Sequence, residues 1–209
     1  MGDLAVRSHY DELSAAYDRD RNHRFFAQGI ERYLAALAPR PGRVLEVGCG
    51  TGGYLAELRR RGVEAFGVDY SPRMCESARA KLAALGLDGE ALVRCADVEE
   101  STGFDEPFDS IVLMDCWEFL PHPERAMATV HAALVPGGRL ALFTPNQTFR
   151  LPLTALELLR IKKLRPAFMF RNSSVRRVLA LSAGRFRLLE RGTMFLGLES
   201  WFVFERIDG

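Results

Sequence analysis

The chain has 209 residues, enough for one α/β domain with a substantial core, and its 48% hydrophobic and 26% charged residues fit an ordinary globular fold. A formal net charge of +1 argues against a general nucleic-acid binder. The charge is uneven, however: residues 147–191 hold eleven Lys/Arg against Glu157 and Glu190, a local +9 that leaves −8 on the remainder. Such asymmetry suits steering of an anionic substrate or contact with an anionic surface. Cys49, Cys75, Cys95 and Cys116 are widely spaced, with no C-x-x-C pair and no His at zinc spacing, so reduced thiols and no metal site are expected. No basic stretch followed by an apolar run opens the sequence, and no apolar run reaches the length of a membrane span, so a cytoplasmic location is expected.

In chain order, helices are predicted over 10–18 and 25–37, the second stopped by Pro39 and Pro41. Apolar strand-like runs then alternate with helical ones: strand 44–47, helix 54–61, strand 63–68, helix 72–85 ended by Gly86, strand 91–95 and strand 110–114. The last of these is continuously hydrophobic, as in a strand buried on both faces. A helix over 123–134 follows, and Gly137-Gly138 turns the chain into a fifth strand at 139–144. Such alternation specifies right-handed βαβ units and a parallel sheet covered by helices. Strands at 186–194 and 200–207, with only a Gly-containing turn between them, read as an antiparallel hairpin closing the sheet.

The chemistry concentrates after the first strand. Glu46-Val47-Gly48-Cys49-Gly50-Thr51-Gly52-Gly53 supplies glycines where the backbone turns sharply and a ligand approaches closely. Gly48, Gly50 and Gly53 also satisfy G-x-G-x-x-G, and Asp69 ends the next strand about twenty residues on, where an acid accepts from ribose hydroxyls. These features alone admit either a nicotinamide dinucleotide or S-adenosylmethionine. Glu46 in an E-x-G-x-G-x-G string suits a cationic amino group rather than a pyrophosphate. Asp97 and Val98 follow the third strand, where a carboxylate can accept from an adenine amino group while Val98 covers the ring. Phe108–Asp115 and the stretch Leu134-Val135-Pro136-Gly137-Gly138-Arg139-Leu140 complete the pattern.

With these motifs in place the sequence resembles the class I, Rossmann-like S-adenosylmethionine-dependent methyltransferases, in particular the small-molecule UbiE-like or type 11 branch, clearly over residues 8–146. The resemblance implies a three-layer α/β sandwich around a seven-stranded, mostly parallel sheet. Its last strand is antiparallel and inserted between its two neighbours. It divides one domain, 1–209, into an N-terminal helical lid (1–40), a cofactor core (43–146), a substrate cap (147–183) and a closing hairpin (184–209). It implies that Gly48, Cys49, Gly50 and Gly52 pack on the methionine part of the cofactor. Asp69, Tyr70 and Met74 would hold the adenosine, Asp97 and Val98 the adenine. Met114, Asp115 and Cys116 would flank the sulfonium, with Tyr17 or Tyr10 reaching the cofactor carboxylate.

Catalytic residues are less legible, because methyl transfer asks the protein mainly to align the nucleophile and exclude water. His122 and His9 are the acid–base candidates, against readings as a solvated helix-entry histidine and a lid residue. Trp117 and Phe119 are candidates for a substrate pocket or for core. The Asn/Asp-Pro-Pro-Tyr motif of amide and nucleobase-amine methyltransferases is missing. A nicotinamide-dependent oxidoreductase remains the alternative, although no Tyr-x-x-x-Lys occurs among three lysines, and a non-catalytic scaffold of the same fold is the third reading. The expected acceptor is a small metabolite methylated on oxygen or nitrogen, apolar or anionic, with no nucleic-acid partner. Segment 151–170, where Leu153, Leu156, Leu159 and Ile161 interleave with Arg160, Lys162 and Lys163, is the candidate for capping a lipid-like acceptor or touching a membrane.

Overall fold

The computed structural model describes residues 4–14, 17–18, 23–37, 42–146 and 172–208. Residues 147–171, which hold the basic segment 151–170 and most of the expected cap 147–183, lie outside the described residues, and the membrane-contact expectation lies there with them. Helix α1 (Leu4–Leu13) and helix α2 (His23–Leu37) come first. The predicted first helix, 10–18, is corrected: it begins and ends earlier. Val6, Tyr10 and Leu13 share the same i, i+4, i+7 spacing that Tyr10, Leu13 and Tyr17 approximate, so the pattern admits both frames. The Ser14 hydroxyl, donating to Asp11 O at 3.0 Å, accompanies the end of α1. Tyr17 and Asp18 then sit in a turn.

Strand β1 (Arg43–Val47) opens the alternating part, followed by α3 (Gly53–Arg60), β2 (Glu64–Asp69) and α4 (Pro72–Ala83). Helix α4 starts where Pro72 stands in the first turn and the Ser71 hydroxyl accepts from Met74 N at 3.1 Å. The predicted strand 91–95 is shortened, because Asp88 accepts from Ala91 N at 3.1 Å and caps a four-residue helix, α5 (Gly89–Leu92). Only Val93–Cys95 remains as β3. Strand β4 (Phe108–Met114), helix α6 (Pro123–Ala133) and strand β5 (Leu134–Pro145) follow. Strand β5 starts earlier than predicted: Leu134 pairs with Phe108 before the register jumps to Arg139 opposite Ser110. Gly137, at φ 70°, thus serves an irregularity inside the strand rather than a turn before it. Helix α7 (Val175–Ser182), capped by the Ser174 hydroxyl, leads into β6 (Phe186–Met194) and β7 (Glu199–Arg206).

The seven strands lie in the order β3-β2-β1-β4-β5-β7-β6. Strand β7 is antiparallel to both neighbours, and the other six run one way. This is the Rossmann-like arrangement that the sequence implies. Side chains alternate across each strand, and so divide the core. Val44, Val112, Ala141 and Val203 pack under α2, α3 and α4, while Leu45, Ile111, Leu140 and Phe202 pack under α6 and α7. Between β1 and β4 the winding reverses, and the carboxyl ends of the strands diverge there to leave a crevice.

Candidate cofactor site

The crevice is built from the glycine turn upward. Gly48 N and Cys49 N both donate to Val68 O, at 2.8 and 3.1 Å, which ties the turn after β1 to the end of β2. Gly48, Gly50 and Gly52 all have positive φ, at 71°, 53° and 72°, and each serves a different purpose. A Cβ on Gly48 would stand 2.5 Å from Cys116 Cβ, and one on Gly52 would stand 2.9 Å from Ala78 Cβ, so both permit close packing within the protein. A Cβ on Gly50 would meet only a Tyr17 ring carbon at 4.0 Å. Its open side faces the crevice.

Asp69, at the end of β2, accepts from Gly50 N at 2.8 Å and from Ser71 N at 2.9 Å. Burial pushes its carboxyl pKa up more than these donors pull it down, and nearby Asp11 adds to the rise. Beyond β3, Asp97 turns the chain by accepting from Glu99 N at 3.0 Å. After β4, Asp115 holds a left-handed φ of 51°, a conformation that strains a non-glycine residue. Next to it the Cys116 thiol donates to Val47 O at 3.1 Å. Its pKa is well above the usual thiol range, through burial first and then the charges of Glu118, Asp69, Asp115 and Glu46. This thiol stays protonated at neutral pH and is neither a base nor a nucleophile there.

Helix α1 packs over this floor. The Ser71 hydroxyl donates to Asp11, Arg7 stacks on the Tyr70 ring at 5.5 Å, and Tyr10 meets Phe119 edge-on at 5.4 Å. The crevice so formed is partly open to solvent and holds about 870 Å³ of empty space, its open mouth included. Its apolar lining comes from Val68, Met74, Ala96 and Val98 around β2, α4 and the exit of β3, and from Leu120 and Pro121 after β4. The Gly48–Gly50 turn, Tyr17, Met114, Asp115 and Cys116 surround the β1–β4 end.

A family model for the methyltransferase domain matches residues 17–183. The chain belongs to the class I S-adenosylmethionine methyltransferase family. Among relatives, it is 35% identical over 126 residues to a phosphatidylethanolamine N-methyltransferase of Cereibacter sphaeroides, covering 60% of this chain and 62% of the relative. To a ubiquinone biosynthesis O-methyltransferase of Alkalilimnicola ehrlichii it is 38% identical over 120 residues, covering 56% and 47%. The matched region is thus less than two thirds of these relatives' length. Among solved structures, the PH0226 protein of Pyrococcus horikoshii shares the fold at a TM-score of 0.74 and 20% identity, covering 90% of this chain and 92% of that one. Magnesium protoporphyrin IX methyltransferase of Synechocystis, solved with bound S-adenosylhomocysteine, shares it at 0.70 and 18%, covering 97% and 98%.

In this methyltransferase-family chain, eleven of the predicted cofactor residues line one pocket: Tyr17, Gly48, Gly50, Asp69, Tyr70, Met74, Asp97, Val98, Met114, Asp115 and Cys116. Glu46, Cys49 and Gly52 do not. Glu46 is 2% exposed, on the same side of β1 as Val44, and its charge follows burial as a cause of the raised Tyr33 hydroxyl pKa. Cys49 is buried in the core against Gly67, and Gly52 against Ala78. The two histidines also stand outside the lining. His122 precedes α6, with its backbone N donating to Glu99 at 2.6 Å and its ring 3.6 Å from Glu124. The His9 ring packs edge-on against Tyr10. Phe119 lines the pocket, whereas Trp117 is core, its ring N–H donating to Asn172 O at 3.0 Å. Val6, Arg7 and Ser71 also line the pocket and are missing from the sequence prediction. The early start of α1 brings the first two there, and capping of α4 brings the third.

No helix among the described residues is long and apolar enough to cross a membrane. Nor does any group of three or more His, Cys, Asp or Glu among them suit a metal ion.

Proposed function

We propose that this chain binds S-adenosylmethionine in the crevice and transfers its methyl group to oxygen or nitrogen of a small-molecule acceptor. The observation that carries this reading is the charge of the pocket lining, where Asp69, Asp97 and Asp115 stand against one cation, Arg7. Asp69 and Glu46 both raise the pKa of the Cys49 thiol, and Glu118, Asp69, Asp115 and Glu46 raise that of Cys116. A surrounding that disfavours thiolates favours cations, and S-adenosylmethionine presents a sulfonium and an ammonium there. The pyrophosphate of a nicotinamide dinucleotide would meet the same carboxylates as repulsion.

The remaining fit follows from shape. The apolar lining accepts a flat base, with Asp97 at hand for an exocyclic amino group. Asp69 keeps lone pairs for ribose hydroxyls beyond its two backbone donors. Adenine and ribose at the β2–β3 end leave the amino-acid arm to extend toward Gly50, Tyr17 and Asp115. When bound, the cofactor supplies a methyl group already activated by the positive sulfur. The chain's own contribution is to hold that arm, to roof the site with Val6, Tyr10 and Phe119, and to keep water from the reacting centre. Among the described residues, neither His9 nor His122 lines the pocket, so neither is assigned as a base here. The naming of N- and O-methyltransferases among the relatives supports oxygen or nitrogen as the acceptor atom.

Calorimetric titration with S-adenosylhomocysteine and, separately, NADH tests the reading. Binding of the first with no heat from the second is expected. Tight NADH binding without S-adenosylhomocysteine binding would overturn it.

A further inference from the structure

The turn after α1 carries a polar cluster outside the pocket itself. Asp18 Oδ1 accepts the Thr51 hydroxyl at 2.7 Å, and Asp18 Oδ2 accepts from Lys81 Nζ at 2.7 Å. Lys81 Nζ also lies 3.3 Å from Thr51 Oγ1, so the turn after α1, the glycine turn and α4 meet in one three-way contact. An ammonium suits this place, since its several donors can serve a carboxylate and a hydroxyl together. Thr51 is buried, but the side chains of Asp18 and Lys81 are 49% and 27% exposed. An ion pair so open to water adds little to global stability.

Its geometric consequence is larger. Asp18 follows Tyr17, one of whose ring carbons stands 4.0 Å from where a Gly50 Cβ would be, and Thr51 follows Gly50. Holding Asp18 to Thr51 therefore fixes Tyr17 and Gly50 against each other from the residues beside them. Helix α1 is anchored elsewhere, by Asp11 on Ser71 and Arg73 N, by Arg7 on Tyr70 and by Tyr10 on Phe119. Those contacts stand over the Asp69 and β4-exit regions. The Asp18 cluster, by contrast, joins the turn after α1 to the glycine turn.

We infer that Asp18, clamped by Lys81 and Thr51, is a positioning residue that sets Tyr17 against the glycine turn and thereby sets affinity for the amino-acid arm of the cofactor. The inference rests on the reading of the pocket as an S-adenosylmethionine site. It separates the two ends of one ligand, which a general structural role would not do. 5′-Methylthioadenosine shares the adenosine and sulfur of S-adenosylhomocysteine but lacks the amino-acid arm, so the pair of ligands reports on that end alone.

The test is calorimetry with both ligands on the wild type, Asp18→Ala and Lys81→Met, with thermal melts to establish folding. In Asp18→Ala, S-adenosylhomocysteine affinity is expected to fall about tenfold, as for loss of a charge-assisted anchor, with 5′-methylthioadenosine affinity within about twofold of wild type. Lys81→Met retains the Asp18–Thr51 bond, so a smaller loss of the same selectivity is expected, and it decides the matter if Asp18→Ala does not fold. Equal losses for the two ligands, or no loss for either, overturn the inference while leaving the cofactor reading intact. A wild type that binds neither ligand overturns the cofactor reading and the inference with it.

Discussion

Replacing Asp69 with Asn separates what this side chain does for folding from what it does for binding. Asp69 accepts two backbone donors, at 2.8 and 2.9 Å, yet burial leaves its pKa raised. A carboxyl whose folded pKa lies above its unfolded value stabilises the fold fully only below the unfolded value, and that contribution is lost as pH rises through the folded pKa. At neutral pH the ionised group is therefore a cost to the apo protein, which a neutral amide removes. Against this, the amide offers one oxygen to two N–H donors, and a buried donor left alone costs about 1–3 kcal/mol. The two effects oppose each other, so apo stability should fall by less than the loss of a buried donor alone would cost. Binding has no such offset. A hydrogen bond to a charged acceptor contributes about 1.5–3 kcal/mol, so S-adenosylhomocysteine affinity should fall roughly 10- to 100-fold. Calorimetry paired with urea denaturation measures both quantities. Wild-type affinity should also weaken on acidification, starting above the pH at which an ordinary aspartate protonates, whereas the Asn variant should lack that step. Affinity within twofold of wild type together with a large loss of stability would refute the reasoning and make Asp69 a structural residue.

The glycines should divide by the same logic. Gly50→Ala meets no close neighbour, so it should cost only the left-handed strain of about 1–2 kcal/mol in a urea melt, yet reduce S-adenosylhomocysteine binding more than tenfold because the methyl enters the pocket. Gly52→Ala adds a clash with Ala78 to the same strain and should lose about 2–4 kcal/mol of stability, with its effect on binding secondary. Asn172→Ala removes donors to Trp117 O and Leu120 O, at 3.3 and 2.7 Å, and should lower stability by about 2–3 kcal/mol in thermal or urea denaturation. Each of these outcomes is read against the Asp18 and Lys81 variants, which should spare stability.

The sheet was readable where apolar runs are bounded by glycine, proline or charge. β1, β2, β4, β6 and β7 fall within a residue or two of the sequence expectation, and Ser71-Pro72 marks the start of α4. Three boundaries were not readable, for separate reasons. Helix α5 has four residues, too few for any period to register, and only the Asp88 cap announces it. Gly137-Gly138 signals a turn, but an irregularity within a strand needs the same residues, so the start of β5 was misplaced. Val6, Tyr10 and Leu13 hold helical spacing as Tyr10, Leu13 and Tyr17 nearly do, and Ser14 rather than periodicity marks where α1 ends.

At the site, residues in turns beside strand ends were legible because the fold brings every carboxyl end of the parallel strands to one crevice. Which way a strand residue faces was the weaker step, and strand parity supplies it. Val47 lines the pocket, so Glu46 beside it must face the opposite layer, where it lies buried near Tyr33. Its place in the E-x-G-x-G-x-G string suits a direct contact with the cofactor's amino group, which Glu46 does not offer from outside the pocket lining. Its charge still reaches the pocket, since it helps to raise the pKa of the Cys116 thiol, which does line it. A carboxylate buried behind the wall would favour a cation over an anion in the crevice, because charges act over longer distances in a low-dielectric interior than in water. That makes Glu46 relevant to the choice between a sulfonium and a pyrophosphate without requiring it to touch either.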